Sequence, residues 1–365
     1  MKRTLALLLS IALGLDVFSG SVALGQGQAP PVNLKIAFIG DQGLGASAEA
    51  VLHLIRSEGA DAVIHSGDFD YADNPAAWEG QIDAILGADF PYFASIGNHD
   101  VREFFAPDGY QDRLEARMKR LGIPWKGELG FRSSFRYQGI FIVLTAPGIL
   151  LPLDPLGVHW RFIYRELAAD NSPWRITSWH KNMRQMQVGG KLDETGWGVY
   201  EAARLGGAII ATAHEHSYSR THLLESISRR IVASTDNTLM LSRDNPATLS
   251  DEGRSFVFVS GLGGRSIRDQ ERCLPTTPPY GCKGEWASIY TSDQGANFGA
   301  LFGTFNYMGD PTLARFYFKD IAGHVPDEFF VRSAAAMSSA SRPPDISRDN
   351  GINLQRVFSR ALPWR

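Results

Sequence analysis

Short apolar runs that end in a glycine and a polar residue recur along this chain. Residues 34–39 are a largely apolar run closed by Gly40-Asp41, the pattern of a buried strand feeding a loop. Residues 61–65 and 92–96 repeat it, followed by Gly67-Asp68 and Gly97-Asn98. Between the first two, residues 46–56 carry Ala50, Val51, Leu54 and Ile55 at helical spacing, ended by Gly59. Buried strands alternating with helical patterns predict an α/β fold, whose binding residues collect just past the strand ends. The second half is richer in strand. Residues 131–137, 140–144, 175–179, 207–212, 230–233, 255–260, 298–305 and 313–318 read as strands, and 160–167 as a helix. No low-complexity linker separates these segments, so one domain over 33–332 is expected, followed by a loosely held tail at 333–365 with Ser-Ala and Pro-Pro stretches.

The N-terminus has a different pattern. Lys2 and Arg3 precede an apolar run over 5–15, followed by small and polar residues through Ala23-Leu24-Gly25. That is the order of a secretory signal, expected over 1–25, and its apolar run is well short of the ~20 residues of a membrane span. A second apolar stretch, 139–153, is interrupted by Pro147 and reads as a strand running into a loop. An exported protein, periplasmic or extracellular and without a stable membrane span, is expected; an uncleaved anchor is the alternative. Export bears on Cys273 and Cys282. In an oxidising compartment they are expected to pair around a Pro-rich loop, for at most ~2.5–3 kcal/mol, the alternative being two free buried thiols.

Composition removes several function classes. With 365 residues, 44% hydrophobic and 11% aromatic, the chain is neither disordered nor fibrous. Its 36 basic and 39 acidic residues give a net charge of -3, which offers no general attraction for nucleic acid. Two cysteines cannot make a four-thiolate zinc site.

Five polar blocks at predicted strand ends carry the candidate chemistry: Gly40-Asp41-Gln42-Gly43, Gly67-Asp68-Phe69-Asp70-Tyr71, Gly97-Asn98-His99-Asp100, Ser178-Trp179-His180-Lys181 and Ala213-His214-Glu215-His216. One such block is usually a turn or a stray histidine. Five in order, each after a strand, point to a metal site.

In this order, and with Ser217-Tyr218-Ser219-Arg220 after the fifth, the blocks resemble the calcineurin-like metallophosphoesterase superfamily and, within it, the purple acid phosphatases. Ordinary members have Asp-x-His in the first block; here it reads Asp41-Gln42-Gly43, and Tyr71 stands in for the missing imidazole, as in purple acid phosphatases. The resemblance implies a four-layer αββα sandwich. It also implies a binuclear centre with Asp41, Tyr71 and His216 on one metal, Asn98, His180 and His214 on the other, and Asp68 bridging. His99 is implied as the catalytic residue that meets the phosphate and assists the leaving group. The implied cofactors are two metal ions, Fe(III) with Fe(II), Zn or Mn. The implied substrate is a phosphoester, a phosphomonoester ahead of a diester or nucleotide, cleaved by a metal-bound hydroxide. A non-catalytic ligand-binding protein on the same scaffold is the alternative from another class. Ala213 replaces the family's usual glycine and Thr177 its usual valine, and neither change removes a ligand.

The residue types agree with that chemistry. Oxygen and imidazole donors without thiolates suit a trivalent iron beside a divalent ion. A phenolate favours the higher charge, and a bridged pair of ions about 3.5–4 Å apart acidifies bound water and clamps phosphate oxygens. Other residues keep two readings. Asp70 and Asp100 orient ligands or cap turns; Lys181, Arg184 and Lys191 neutralise a phosphate or lie in a solvated loop. Gly261-Leu262-Gly263-Gly264 lacks the Lys-Ser/Thr of a phosphate loop and reads as a tight turn, and Glu215 is expected to face away from its histidine neighbours. His53, His65, His159, His222 and His324 read as structural or surface residues.

Overall fold

Strand β1 (Leu34–Ile39) is almost wholly buried, as its apolar run requires. Its neighbours are seen in a computed structural model that describes residues 29–333. The expected signal over 1–25 lies outside the described residues, as does the expected tail from 334 onward.

In the first half, β1 is followed by α1 (Ala46–Ser57), β2 (Ala62–His65), α2 (Pro75–Ile85), β3 (Tyr92–Ala94), α3 (Val101–Phe104), α4 (Tyr110–Arg120), β4 (Trp125–Glu128), β5 (Arg132–Tyr137) and β6 (Ile140–Thr145). Then come α5 (Val158–Ala169), β7 (Trp174–Ser178), α6 (Trp197–Leu205), β8 (Ile209–Thr212), β9 (Tyr218–Thr221), β10 (Leu223–Ser226), β11 (Ile231–Ser234) and β12 (Thr238–Met240). The last strands are β13 (Val257–Ser260), β14 (Trp286–Tyr290), β15 (Gly299–Phe305), β16 (Leu313–Asp320) and β17 (Asp327–Arg332).

Two large sheets result. One runs β12-β17-β16-β15-β1-β2-β3, the other β14-β9-β13-β8-β7-β6-β5-β4, and β10-β11 form a separate ribbon. Within them β1, β2 and β3 are parallel, as are β6, β7, β8 and β13. The sheets face each other across a core rich in aromatic rings. Phe38 meets Phe258 with ring centroids 5.2 Å apart, Trp174 meets Phe305 at 5.0 Å and Phe93 meets Phe135 at 4.8 Å. Helices cover the outer faces: α1 packs on β15 and on α2, while α5 and α6 pack on the second sheet through Phe162, Ile163, Val199 and Tyr200. The layers are therefore αββα, the sandwich that the resemblance implies.

The predicted elements are recovered with small shifts. Helix α1 buries Ala48, Val51, Leu52 and Ile55, one face round from the spacing read in the sequence. Helix α5 begins before residue 160 because the Asp154 carboxylate accepts the backbone N–H groups of Val158, His159 and Trp160 at 2.9–3.3 Å. Cys273 and Cys282 are disulfide-bonded. Among the described residues, no helix is long and apolar enough to cross a membrane.

Candidate metal centre

Parallel strands put their carboxyl ends at the same sheet edge, and here both sheets do so side by side. Asp41 follows β1, Asp68 and Tyr71 follow β2, and Asn98 and His99 follow β3. From the facing sheet, His180 follows β7, and His214 and His216 follow β8. The chain turns sharply to aim these groups. Asp41, Asp68, Tyr71 and His214 have φ of 57°, 60°, 57° and 70°, a left-handed conformation that residues with a Cβ adopt at a cost. The strand ends also approach too closely for ordinary side chains. A Cβ on Gly97 would lie 2.2 Å from the Asp68 backbone nitrogen, and one on Gly40 would lie 2.3 Å from the Cβ of Ala213. Ala213, one of the two departures from the family pattern, therefore fits because residue 40 is glycine.

The candidate residues form two clusters. In the first, the Tyr71 hydroxyl donates to Asp41 Oδ1 at 2.9 Å and lies 3.2 Å from His216 Nε2, itself 3.2 Å from Asp41 Oδ1. In the second, His180 Nε2 is 3.2 Å from Asp68 Oδ2 and 3.0 Å from His214 Nδ1, and the donor atoms of Asp68, His180 and His214 lie within 4.8 Å of one another. Asp68 is also near enough to the Tyr71 phenol for its charge to act on it, which relates the clusters, and the His214 backbone N–H donates to Asp41 Oδ2 at 2.9 Å. The orienting contacts are specific: His180 Nδ1 meets the Ser66 carbonyl at 2.7 Å, and His216 Nδ1 meets the Ser266 hydroxyl.

The electrostatics of the cleft follow from burial and crowding. Burial alone would raise Asp68, but the charge and hydrogen bond of His180 and the His99 N–H hold it below the usual carboxylate range. Asp41 is likewise lowered, because His216 outweighs its burial. Burial works against a charge on His180, yet Asp68, Asp41 and the Ser66 carbonyl raise it to about 9. His214, buried and beside His180 and Lys191, falls to about 4 despite Glu194. Burial and the two carboxylates push the Tyr71 phenol far above its ordinary value.

The donor set fits metal ions. Asn98 Oδ1 is buried and accepts no hydrogen bond among the described residues, a situation that costs about 1–3 kcal/mol unless another partner is present. A buried carbonyl oxygen at the same strand-end edge as two carboxylates, a phenol and three imidazoles makes a cation a fitting partner.

The residues with two readings now separate. Asp100 is buried and accepts the N–H groups of Asp68, Phe69 and Gly97 at 3.0, 2.8 and 2.6 Å, tying the second block to the third. Burial and Asp68 raise it to about 8. Asp70 caps the turn before α2 through Ala72 N and Asn74 N. Lys191 Nζ lies 3.0 Å from His214 Nε2, inside the cleft; Lys181 pairs with Glu194 at 2.7 Å, and Arg184 stays in its loop. Glu215 turns its buried carboxylate toward Gly189, away from the clusters.

Four residues at the centre lay outside the sequence reading. Glu194 Oε2 lies 2.9 Å from His214 Nε2. Beyond Gly261-Leu262-Gly263-Gly264, which is a wall of the site rather than only a turn, Arg265 lies over the Tyr71 ring at 4.6 Å. Ser266 meets His216, and Arg268 donates its backbone N–H to the His216 carbonyl at 2.9 Å. No residue-type signal marks this stretch, because its role arises only when β13 is threaded beside β8.

Fold and cleft together are those of an α/β sandwich with a set of metal-binding donors at its strand ends. The family model for calcineurin-like phosphoesterases matches residues 34–218, which include all eight candidate residues. The chain belongs to that family, whose members use a dinuclear metal centre. Among solved structures, it is similar to the purple acid phosphatase PPD1 from yellow lupin (Lupinus luteus) seeds, with 17% identity over 88% of this chain and a TM-score of 0.59. The chain spans 59% of that enzyme's length. It is also similar to GAP50, the anchor in the inner membrane complex of Plasmodium, with 10% identity, 85% of this chain and 95% of that one covered, and a TM-score of 0.50. Both likenesses are of fold.

Proposed function

We propose that the protein hydrolyses phosphoesters, phosphomonoesters foremost, at a binuclear centre of the purple acid phosphatase type. The observation that carries this reading is the pair of clusters related through Asp68, with the unpartnered Asn98 oxygen at the same strand-end edge. Asp41, Tyr71 and His216 would hold one ion, Asn98, His180 and His214 the other, and Asp68 would serve both. Iron is proposed for the tyrosine side, with iron, zinc or manganese for its neighbour. When bound, the pair supplies positive charge for phosphate oxygens and lowers the pKa of water. The remaining work falls to the chain's own groups. His99 is exposed with its ring 4.6 Å from Tyr71, where it donates a proton to the departing oxygen. Lys191 brings a cation to the cleft beside His214, where it offsets the charge of an arriving phosphate. Export to the periplasm or outside the cell is proposed with it, supported by the order of residues 1–25 and by the Cys273–Cys282 bond.

Metal analysis, a visible spectrum and a panel of phosphomonoesters and diesters test the reading on one preparation. Two ions per chain, a phenolate-to-iron absorption band that Tyr71→Phe removes, and faster turnover of monoesters are expected. Two bound ions without turnover of any ester would make this a binding protein on the same scaffold. Faster diester cleavage would move it to the phosphodiesterases.

A further inference from the structure

Next to the proposed centre lies a group of apolar side chains that the core does not use. In the segment between β6 and α5, Leu150, Leu151, Leu153 and Leu156 are 50, 54, 47 and 65% exposed, and Leu192, adjoining Lys191, is 70% exposed. Single exposed leucines are ordinary on a protein surface, whereas a contiguous group marks a contact with something apolar. This segment is not a loose loop. The Leu153 N–H donates to the Glu194 carbonyl at 2.9 Å, and a Cβ on Gly148 would lie 2.2 Å from the same oxygen, so the segment lies against Glu194, two residues past Leu192. At its other end, Asp154 is fastened to the first turn of α5. Leu153 has φ of 61°, so the fold holds a branched side chain outward in a conformation it disfavours. Glu194 carries the connection into the cleft, 2.9 Å from His214 Nε2.

The nearby cations indicate what the leucines meet. Lys191 and Lys181 point inward, toward His214 and Glu194, rather than outward as a surface that binds anionic headgroups would require. An inward cationic end beside an outward apolar rim matches one molecule with a phosphate at one end and a hydrocarbon at the other.

We propose that the rim of residues 150–156 with Leu192 binds the hydrocarbon part of a single amphiphilic phosphoester whose phosphate occupies the centre. This rests on the phosphoesterase reading above. Two measurements on the full, metal-loaded protein test it: the affinity for non-hydrolysable alkylphosphonates from ethyl to octyl by calorimetry, and kcat/KM for the matching alkyl phosphates. Both should rise with chain length, by up to about fourfold per methylene where burial is complete. The rise should flatten in a Leu151→Asp, Leu156→Asp double variant. It should persist in Leu249→Asp, whose side chain is 82% exposed in the loop that Asp251 ties to Arg204 at the far sheet edge. A flat wild-type series, or a double variant that keeps the rise, overturns the proposal. So does binding to phosphatidylcholine vesicles that the double variant loses while the monomeric series stays flat, because the leucines then serve a bilayer. Phosphonate affinity that rises with chain length without turnover of any ester supports the rim and overturns only the phosphoesterase reading.

Discussion

Asn98 and His99 are adjacent yet face different surroundings. The amide oxygen is buried, and the imidazole is exposed against Tyr71. They are the two central residues of a turn in which the Asp100 N–H reaches the Gly97 carbonyl at 3.4 Å, not neighbours on extended backbone as the sequence suggests, and the turn gives their side chains these separate surroundings. His99→Ala is therefore expected to keep both metals and to lose turnover by ~10²–10³ on esters with poor leaving groups, and by less on activated esters. Metal content measured beside turnover on both ester types checks this; a missing ion would make His99 a ligand, and full activity would make it structural. The eight candidate residues were legible in the sequence because each stands in a short block after a strand. Arg265, Ser266, Arg268 and Glu194 were not, because their neighbours at the centre are distant in sequence and their own segments carry no block.

Elements built from apolar runs were legible, and elements stabilised by buried charge were not. Helix α4 buries Arg117, which donates to the carbonyls of Gly87, Ala88 and Phe90 and pairs with Asp83, so its polar sequence hid a packed face. Strand β9 is buried although it reads Tyr-Ser-Arg-Thr, because Tyr218 and Arg220 both bond Asp327 of β17, at 2.6 and 2.7 Å. The packing of β1 against the end of β8 gives a prediction at this scale. Gly40→Ala sets two Cβ atoms in collision and should destabilise by about 1–3 kcal/mol. Adding Ala213→Gly removes the opposing methyl and should restore most of that loss. Urea midpoints for the two single variants and the pair measure the coupling, and simple additivity would show that the strand ends do not meet as described.

For the whole molecule, the α/β class was legible from strand and helix patterns. The pairing of two sheets into four layers was not, since β15 to β17 return to the first sheet from the far end of the sequence; only the motif resemblance implied it. Stability should depend on pH through a buried histidine that is not among the candidate ligands. Burial, with Arg132 nearby, lowers His159 from 6.5 to about 4. The unfolded chain takes up a proton below pH 6.5 and the folded one does not until about pH 4. This contribution to stability is therefore complete above pH 6.5 and lost as pH falls toward 4, by up to about 1.4 kcal/mol per unit. His159→Gln should lose that slope between pH 6.5 and 4.5 in paired denaturation curves, and an unchanged slope would place the proton uptake elsewhere.

The two faces of the sandwich adhere through hydrocarbon and aromatic rings along most of their length. Polar groups also bridge them, as Tyr218 and Arg220 do to Asp327, and at the strand-end edge seven candidate ligands face one another, Asp41, Asp68, Tyr71 and Asn98 from one sheet and His180, His214 and His216 from the other. Each proposed ion would thus draw ligands from both sheets and act as a rivet across the seam. Whatever binds there adds its binding free energy to the cohesion of the two halves. On the proposed reading, the centre is also one of the fastenings between the two halves, so loosening either would affect the other.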